Sequence, residues 1–511
     1  MKLPYMPNTA GRNQKQIVTF RGVNWSDRYQ EGELRDSLNL STRRLPYLST
    51  RRARRQMDAY QGATAMTARG SLVVVQGTDL VYDGQVVGQV MAGEKQFAVV
   101  NTKLVIWPDK VYLDLNSKTM GTLGASVSGA GAVFNGPDGT ITVSGWGDLT
   151  QKFKPGDALN ITGCTTAANN QELVVKTVES SKLGFGANTL TTANEAESIT
   201  IERRVPDLDY ICESENRLWG CSSKTQSIYA SALGDPTNFY VYEGVSTDGY
   251  ALAVGTEGDF TGCCKLSSSV LFWKETKLHK LLGSYPAEYT MYTYDIEGLQ
   301  AGCHKSLQVI NEVLYYQGLH GVFAYSGGMP SMVSDAFGQR VFTGGVGGSD
   351  GDTYFLSVLE GEEPRLLVYE TRQGIWLQED GTKVTDFARV GKDLYFLDSG
   401  GKVWLEDSGA EDGTLPWMAQ FAPFYDTAEG RKVYSRLLLR VELPKGSWMK
   451  AETRCDDGKW REAGKLKGRD ADVIPLALPI NRCDKFEVRL SGTGPCAVKA
   501  MVLEYALGSD V

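Results

Sequence analysis

VLYYQGLHGVFAYSGG, residues 313–328, reads as two short strands joined by a turn. Aromatic and β-branched residues fill both halves, and Gly318, Gly321, Gly327 and Gly328 supply the bends. LYFLDSGGKVWLEDSG, residues 394–409, has the same form. Working outward, similar bursts begin at Ser71 (SLVVV), Lys103 (KLVIW), Arg217 (RLWGC), Ser269 (SVLFW), Glu312 (EVLYY), Thr353 (TYFLS) and Asp393 (DLYFL). The last four begin 43, 41 and 40 residues apart. That interval matches one propeller blade, a small antiparallel sheet that cannot bury both faces alone.

The expected fold class is all-β: a β-propeller of seven blades, with six or eight compatible with the same period. A small inserted β-barrel or sandwich and a C-terminal β-sandwich complete it. The 57 glycines among 511 residues fit many turns, and 42% apolar with 22% charged residues fits a globular chain. Residues 1–59 form an N-terminal arm, with a closing strand for the last blade expected between residues 12 and 30. Blades one and two span 60–125, and Asp83-Gly84 between apolar runs predicts a hairpin. The gap between the second and third bursts is too long by one insert, residues 126–204. The insert carries its own strand patterns in TITVSG (140–145), ALNITGC (158–164), ELVVKTVES (172–180) and SITIERR (198–204). Blades three to seven follow over 205–415, then a linker, 416–431. Period-two alternation over 432–511 predicts the sandwich, ending on an exposed 508–511.

Chemistry is sparse. The net charge of −8 argues against a dedicated nucleic-acid binder. No run of 18 apolar residues occurs, so no transmembrane helix or membrane insertion is expected. The opening MKLPYMPNTAGRNQKQ lacks the apolar centre of a signal peptide, which places synthesis in a cytoplasm. Nine cysteines without C-x-x-C spacing read as buried thiols. His279, His304 and His320 sit in no metal or nucleophile motif. Gly347-Gly348-Ser349-Asp350-Gly351 matches G-x-S-x-G by letters but precedes a strand, where a nucleophile elbow needs a helix. Asp350 and Asp352, and Glu360, Glu362 and Glu363, crowd turns where acids are normally solvated. A glycan hydrolase would need two carboxyls facing across a cleft. The chain is expected to be no enzyme and to need no cofactor and no metal.

One charge feature stands out. Arg43, Arg44, Arg51, Arg52, Arg54 and Arg55 form a candidate interaction arm. Clustered cations suit a phosphate backbone. They equally suit an arm packed on an acidic neighbour, or on acidic loops of its own propeller, and the negative total favours the packed arm.

Several stretches resemble one known group. FRGVN (20–24), LRDSLNLS (34–41) and LPYLS (45–49) look like the opening of tail-associated propeller proteins of bacteriophages and prophages. RLWG (217–220), IYAS (228–231), GDPTNF (234–239) and LFWK (271–274) are similar to a blade signature of that group. NRCD (481–484), LSGTG (490–494) and GSD (508–510) resemble its C-terminal sandwich. More distantly, the layout is similar to the hub or nozzle proteins of short-tailed phages, which plug the exit channel and stabilise packaged DNA. The resemblance implies a non-enzymatic structural component of a virion, at the tail, neck or nozzle. Its partners would be other tail and neck proteins, copies of itself in a ring (a hexamer favoured), and packaged DNA in transient contact. An acidic surface suits a DNA conduit, because like charge repels the backbone. The alternative is a receptor- or glycan-binding propeller at the tail tip, marked by Tyr and Trp gathered on one exposed loop face.

Overall fold

The computed structural model describes residues 13–425, 431–469, 473–479 and 482–507. The ends 1–12 and 508–511, the latter expected to be exposed, lie outside the described residues. The chain is all-β, with no α-helix among the described residues. It divides into two compact units: Ala63–His304, and Met1–Gly62 together with Lys305–Val511.

Each of the seven bursts becomes the second strand of a four-stranded antiparallel sheet. Ser71–Gln76, Lys103–Trp107, Arg217–Ser222 and Ser269–Trp273 do so in the first of these units. Val313–Gln317, Thr353–Glu360 and Asp393–Asp398 do so in the other. An inner strand is covered on both faces, so its sequence runs apolar without alternation. Ser269–Trp273 is buried at every position. The predicted Asp83-Gly84 turn is present: both residues have positive φ (51° and 74°), and Tyr82 pairs with Gln85 across it. Positive φ at both central positions matches the right-handed twist of the flanking strands.

Within the unit Ala63–His304, the insert runs from strand Ala125–Gly129 to strand Ile199–Arg203 and forms one four-stranded and one five-stranded sheet. It has its own core, in which Phe134, Ile141, Leu159, Leu183, Ile199 and Ile201 are fully buried.

The other unit carries an eleven-stranded sheet system built on the long strand Lys432–Cys455. Its first half pairs with Ala497–Leu507, and its second half with Phe486–Thr493 and Arg461–Arg469. Inward residues Leu437, Leu439, Met449, Ala451, Leu490 and Leu503 are buried.

Two expectations need correction here. Residues 416–431 do not begin as a linker: Pro416–Phe421 is a strand between Leu34–Leu38 and Phe486–Thr493. Trp417, Ala419 and Phe421 alternate into the core, a period-two signal hidden by the flanking Pro and Ala. Residues 426–430 of that stretch lie outside the described residues. The closing strand is not drawn from residues 12–30 either. Asn13–Ile17 pairs with Ala497–Leu507, and the two residues Arg55–Gln56 join Val403–Leu405 as the fourth strand of the last small sheet.

Candidate functional site: an arginine arm seated on carboxylates

Alternating apolar residues place the arm. Phe20, Val23, Leu34, Leu40 and Leu48 are all buried, and short strands tie the segment down. Leu34–Leu38 pairs with Pro416–Phe421, and Leu48–Thr50 pairs with Ala497–Leu507. Gly22 lies so close to the Trp376 carbonyl that a Cβ would collide with it, and the Val23 N–H donates to that same oxygen at 2.6 Å.

The basic run follows this tether. Arg54 is the centre of the site, with its side chain 8% exposed. Its Nε donates to Glu406 Oε2 at 2.9 Å, its Nη1 to Asp380 Oδ2 at 2.6 Å and its Nη2 to Glu379 Oε2 at 2.5 Å. The guanidinium also lies 5.0 Å from the centre of the Phe396 ring. Arg51 donates to Asn39 Oδ1 at 2.7 Å and stands 3.6 Å from Asp380. Arg43 and Arg52 share Asp407, and Arg44 pairs with Glu442 at 2.8 Å. Arg55 is exposed on the closing strand. Thus five of the six arm arginines meet carboxylates of their own unit, and Arg55 faces solvent. Beside them a cleft of about 600 Å³ is lined by Arg43, Arg51, Arg52, Arg55, Glu379 and Asp407, among others.

The electrostatics follow from burial. Burial opposes the charge on Arg54, yet Glu406, Glu379 and Asp380 outweigh it and hold the guanidinium above its ordinary pKa. Burial also works against Asp380, but Arg54 and the Thr382 hydroxyl hold it below the usual carboxylate range. Glu406 goes the other way. Burial is the largest cause; Arg54 counters it and the charge of Glu379 reinforces it, so Glu406 stays protonated well above its ordinary value.

This gives a pH prediction. The folded state holds a proton on Glu406 that the unfolded chain releases near pH 4.5, so its contribution to stability falls as pH rises from there toward the raised value. Asp380, depressed, loses its contribution only as pH falls below 3.8. Glu406→Gln keeps the shape without the titration. Denaturant melts should find it close to wild type near about pH 5 and more stable than wild type near about pH 8. Equal pH slopes for the two proteins would contradict this.

The carboxylate partners were not singled out from sequence, although a signal exists. Trp376-Leu377-Gln378-Glu379-Asp380 and Val403-Trp404-Leu405-Glu406-Asp407 are apolar runs that both close on Glu-Asp.

The remaining sequence features fall elsewhere. Ser349 ends the strand Thr343–Ser349, its Oγ accepts from the Gly351 N–H at 2.9 Å, and another strand follows. Glu360 bridges Arg340 and Arg365 at 3.2 and 2.6 Å, and Asp352 meets Arg372 at 2.7 Å. His279 is buried between the Thr256 and Thr293 hydroxyls at 2.9 and 2.8 Å, and burial pushes its pKa down to about 4, so it is neutral. All nine cysteines are free thiols, and no metal-holding cluster occurs among the described residues.

No family model and no curated protein matches the chain. Solved structures do. The exo-β-1,3-galactanase from Phanerochaete chrysosporium, bound to galactose, is 8% identical with a TM-score of 0.23, covering 56% of this chain and 92% of its own. An engineered GH43 glycoside hydrolase with endo-xylanase and exo-arabinofuranosidase activity is 8% identical at a TM-score of 0.22, covering 59% and 97%. BamB from Moraxella catarrhalis is 11% identical at 0.28, covering 70% and 97%. These neighbours are of propeller type. The expectation of a chain that is no enzyme is corrected by this comparison, because carbohydrate-cleaving enzymes are among its neighbours. At these identities and scores the correction removes that expectation and assigns no activity.

Proposed function

We propose that the chain is a structural component of a phage or prophage particle, in the tail, neck or nozzle, made in the bacterial host's cytoplasm. It assembles there with copies of itself and with other tail proteins around the DNA path. In this reading the seven four-stranded sheets are the blades of one propeller. The insert and the C-terminal sheet system are the small β-domain and the sandwich added to it.

The observation that carries the reading is where the aromatic residues lie. Trp219, Trp273, Trp376 and Trp417 are each at most 2% exposed, as are Tyr316, Tyr325 and Tyr354. They are used to fix sheets in place, as suits a scaffold that bears load, and the intramolecular seating of the arm supports the same view. The sequence resemblance supplies the class of particle. One observation favours the tail-tip binding module instead: Tyr285, Tyr292 and Tyr294 are exposed on and beside the strand Thr290–Asp295.

The test is the mass of the purified protein by light scattering across a concentration series, together with its presence in purified particles. A discrete ring, with six copies expected, accords with the proposal. A monomer at every concentration that is also missing from particles would end it.

A further inference from the structure

The chain's charge is divided unevenly. Residues 1–431 carry 38 Lys and Arg against 50 Asp and Glu, a net of −12, whereas residues 432–511 carry 15 against 11, a net of +4. All of that excess lies in residues 443–469, with eight basic and four acidic residues. These form the second half of the strand Lys432–Cys455 and the strand Arg461–Arg469.

Register places Lys450, Lys465 and Lys467 on one face, with the Glu452–Glu462 pair next along the same two strands. Lys450 stands opposite Lys465, and Trp448 opposite Lys467. Across the other side of the long strand, Lys450 faces Ser491 and Glu452 faces Arg489. Met449, Ala451 and Leu466, at the alternate positions, are buried beneath. Glu452 is already occupied, by Lys450 at 2.8 Å and Arg489 at 2.9 Å. Lys465 lies over the Trp448 ring at 4.3 Å, which holds its ammonium at the surface. Lys445, Lys459, Lys465 and Lys467 are exposed. None of the four has a carboxylate partner among the described residues. Like charges directly opposite across two strands are destabilising. An anionic surface placed on this face removes that cost.

We propose that this face is the contact by which one copy of the chain docks on the acidic body of the next. The inference rests on the assembling role proposed above and adds the surface and its chemistry. A basic patch on one end of the chain meeting an acidic surface elsewhere on its neighbour is a head-to-tail contact, the kind that closes into rings. Lysines on a strand such as Arg461–Arg469, which pairs on one side only among the described residues, also block unwanted edge pairing. That protection works with charge of either sign, whereas docking on an acidic body requires positive charge.

The experiment is therefore a charge reversal, Lys465→Glu with Lys467→Glu, in the full chain. Mass would be followed by light scattering from about 50 mM to about 500 mM salt, with unfolding melts to show that the variant is folded. The expected result is a wild-type oligomer that dissociates as salt rises, and a folded variant whose dissociation constant is at least about tenfold weaker at low salt. A wild-type oligomer equalled by the variant at every salt concentration overturns the inference while the assembling role stands. A variant of unchanged mass that has lost binding to a labelled 30-base-pair DNA duplex assigns the face to nucleic acid and also overturns it. A wild-type chain that is monomeric throughout and missing from particles removes the assembling role itself.

Discussion

Arg54→Ala is expected to destabilise the unit formed by Met1–Gly62 and Lys305–Val511 by about 3–5 kcal/mol, the usual cost of breaking a buried ion pair from one side. For a unit of this size that is a fall in Tm on the order of 10 °C. The effect is large because three carboxyls, Glu379, Asp380 and Glu406, converge on one guanidinium, with Glu379 and Glu406 side chains only 6% and 8% exposed. Without the cation, these acids must be protonated or stay charged where little water reaches them. The triple variant Arg54→Ala, Glu379→Gln, Glu406→Gln should recover much of the loss, since the groups act as one network. Denaturant unfolding of the three proteins checks this. A loss below about 1 kcal/mol for Arg54→Ala would mean that water reaches the cluster and screens it.

Arg203→Ala is the second large effect, and it falls on the root of the insert. Asp157 is fully buried and receives the Arg203 guanidinium at 2.5 Å. Arg203 also donates to the carbonyls of Leu123 and Lys152 at 3.1 and 3.3 Å, tying the insert's last strand to the chain that enters it. Asp157 Oδ2 accepts from the Lys154 N–H at 3.0 Å, while its Oδ1 has no hydrogen-bond partner. Burial already lifts the Asp157 pKa against the pull of Arg203. Removing the arginine lifts it further, so the folded variant keeps a proton that the unfolded chain releases above pH 3.8. The expected cost is about 3 kcal/mol near neutral pH, shrinking as pH falls toward about 4. Melts of the unit Ala63–His304 at the two pH values test it. A cost that does not change with pH would place the effect in the lost carbonyl contacts alone.

How much of this was legible beforehand depends on the range over which each signal acts. The seven bursts were visible because an inner strand buried on both faces is written continuously, as in Ser269–Trp273. The Asp83-Gly84 turn was visible because positive φ restricts residue choice at two adjacent positions. Pro416–Phe421 was missed because its six residues mix strand alternation with helix and turn formers. The partners of the arm were out of reach for another reason. Arg54 and Glu406 are 352 residues apart, and an ion pair across that distance leaves no periodic trace. The arginine run was conspicuous, but whether it faced a partner or its own chain depended on carboxylates that composition treats as solvated. The basic face at residues 443–469 escaped notice because its charge is cancelled in the total of −8.

The two residues Arg55–Gln56 also set a timetable. Their partner, Val403–Leu405, leaves the ribosome about 350 residues later, a wait of roughly 20–70 s at synthesis rates of about 5–20 residues per second. Asn13–Ile17 waits longer still, for Ala497–Leu507. Until residue 379 is made the arginine-rich segment has none of its carboxylates to sit on, whereas the sheets of Ala63–His304 have all their strands once residue 295 is out. The nascent chain therefore has a finished middle and an unfinished beginning. Its last small sheet keeps an open edge until the oldest part of the polypeptide returns to close it.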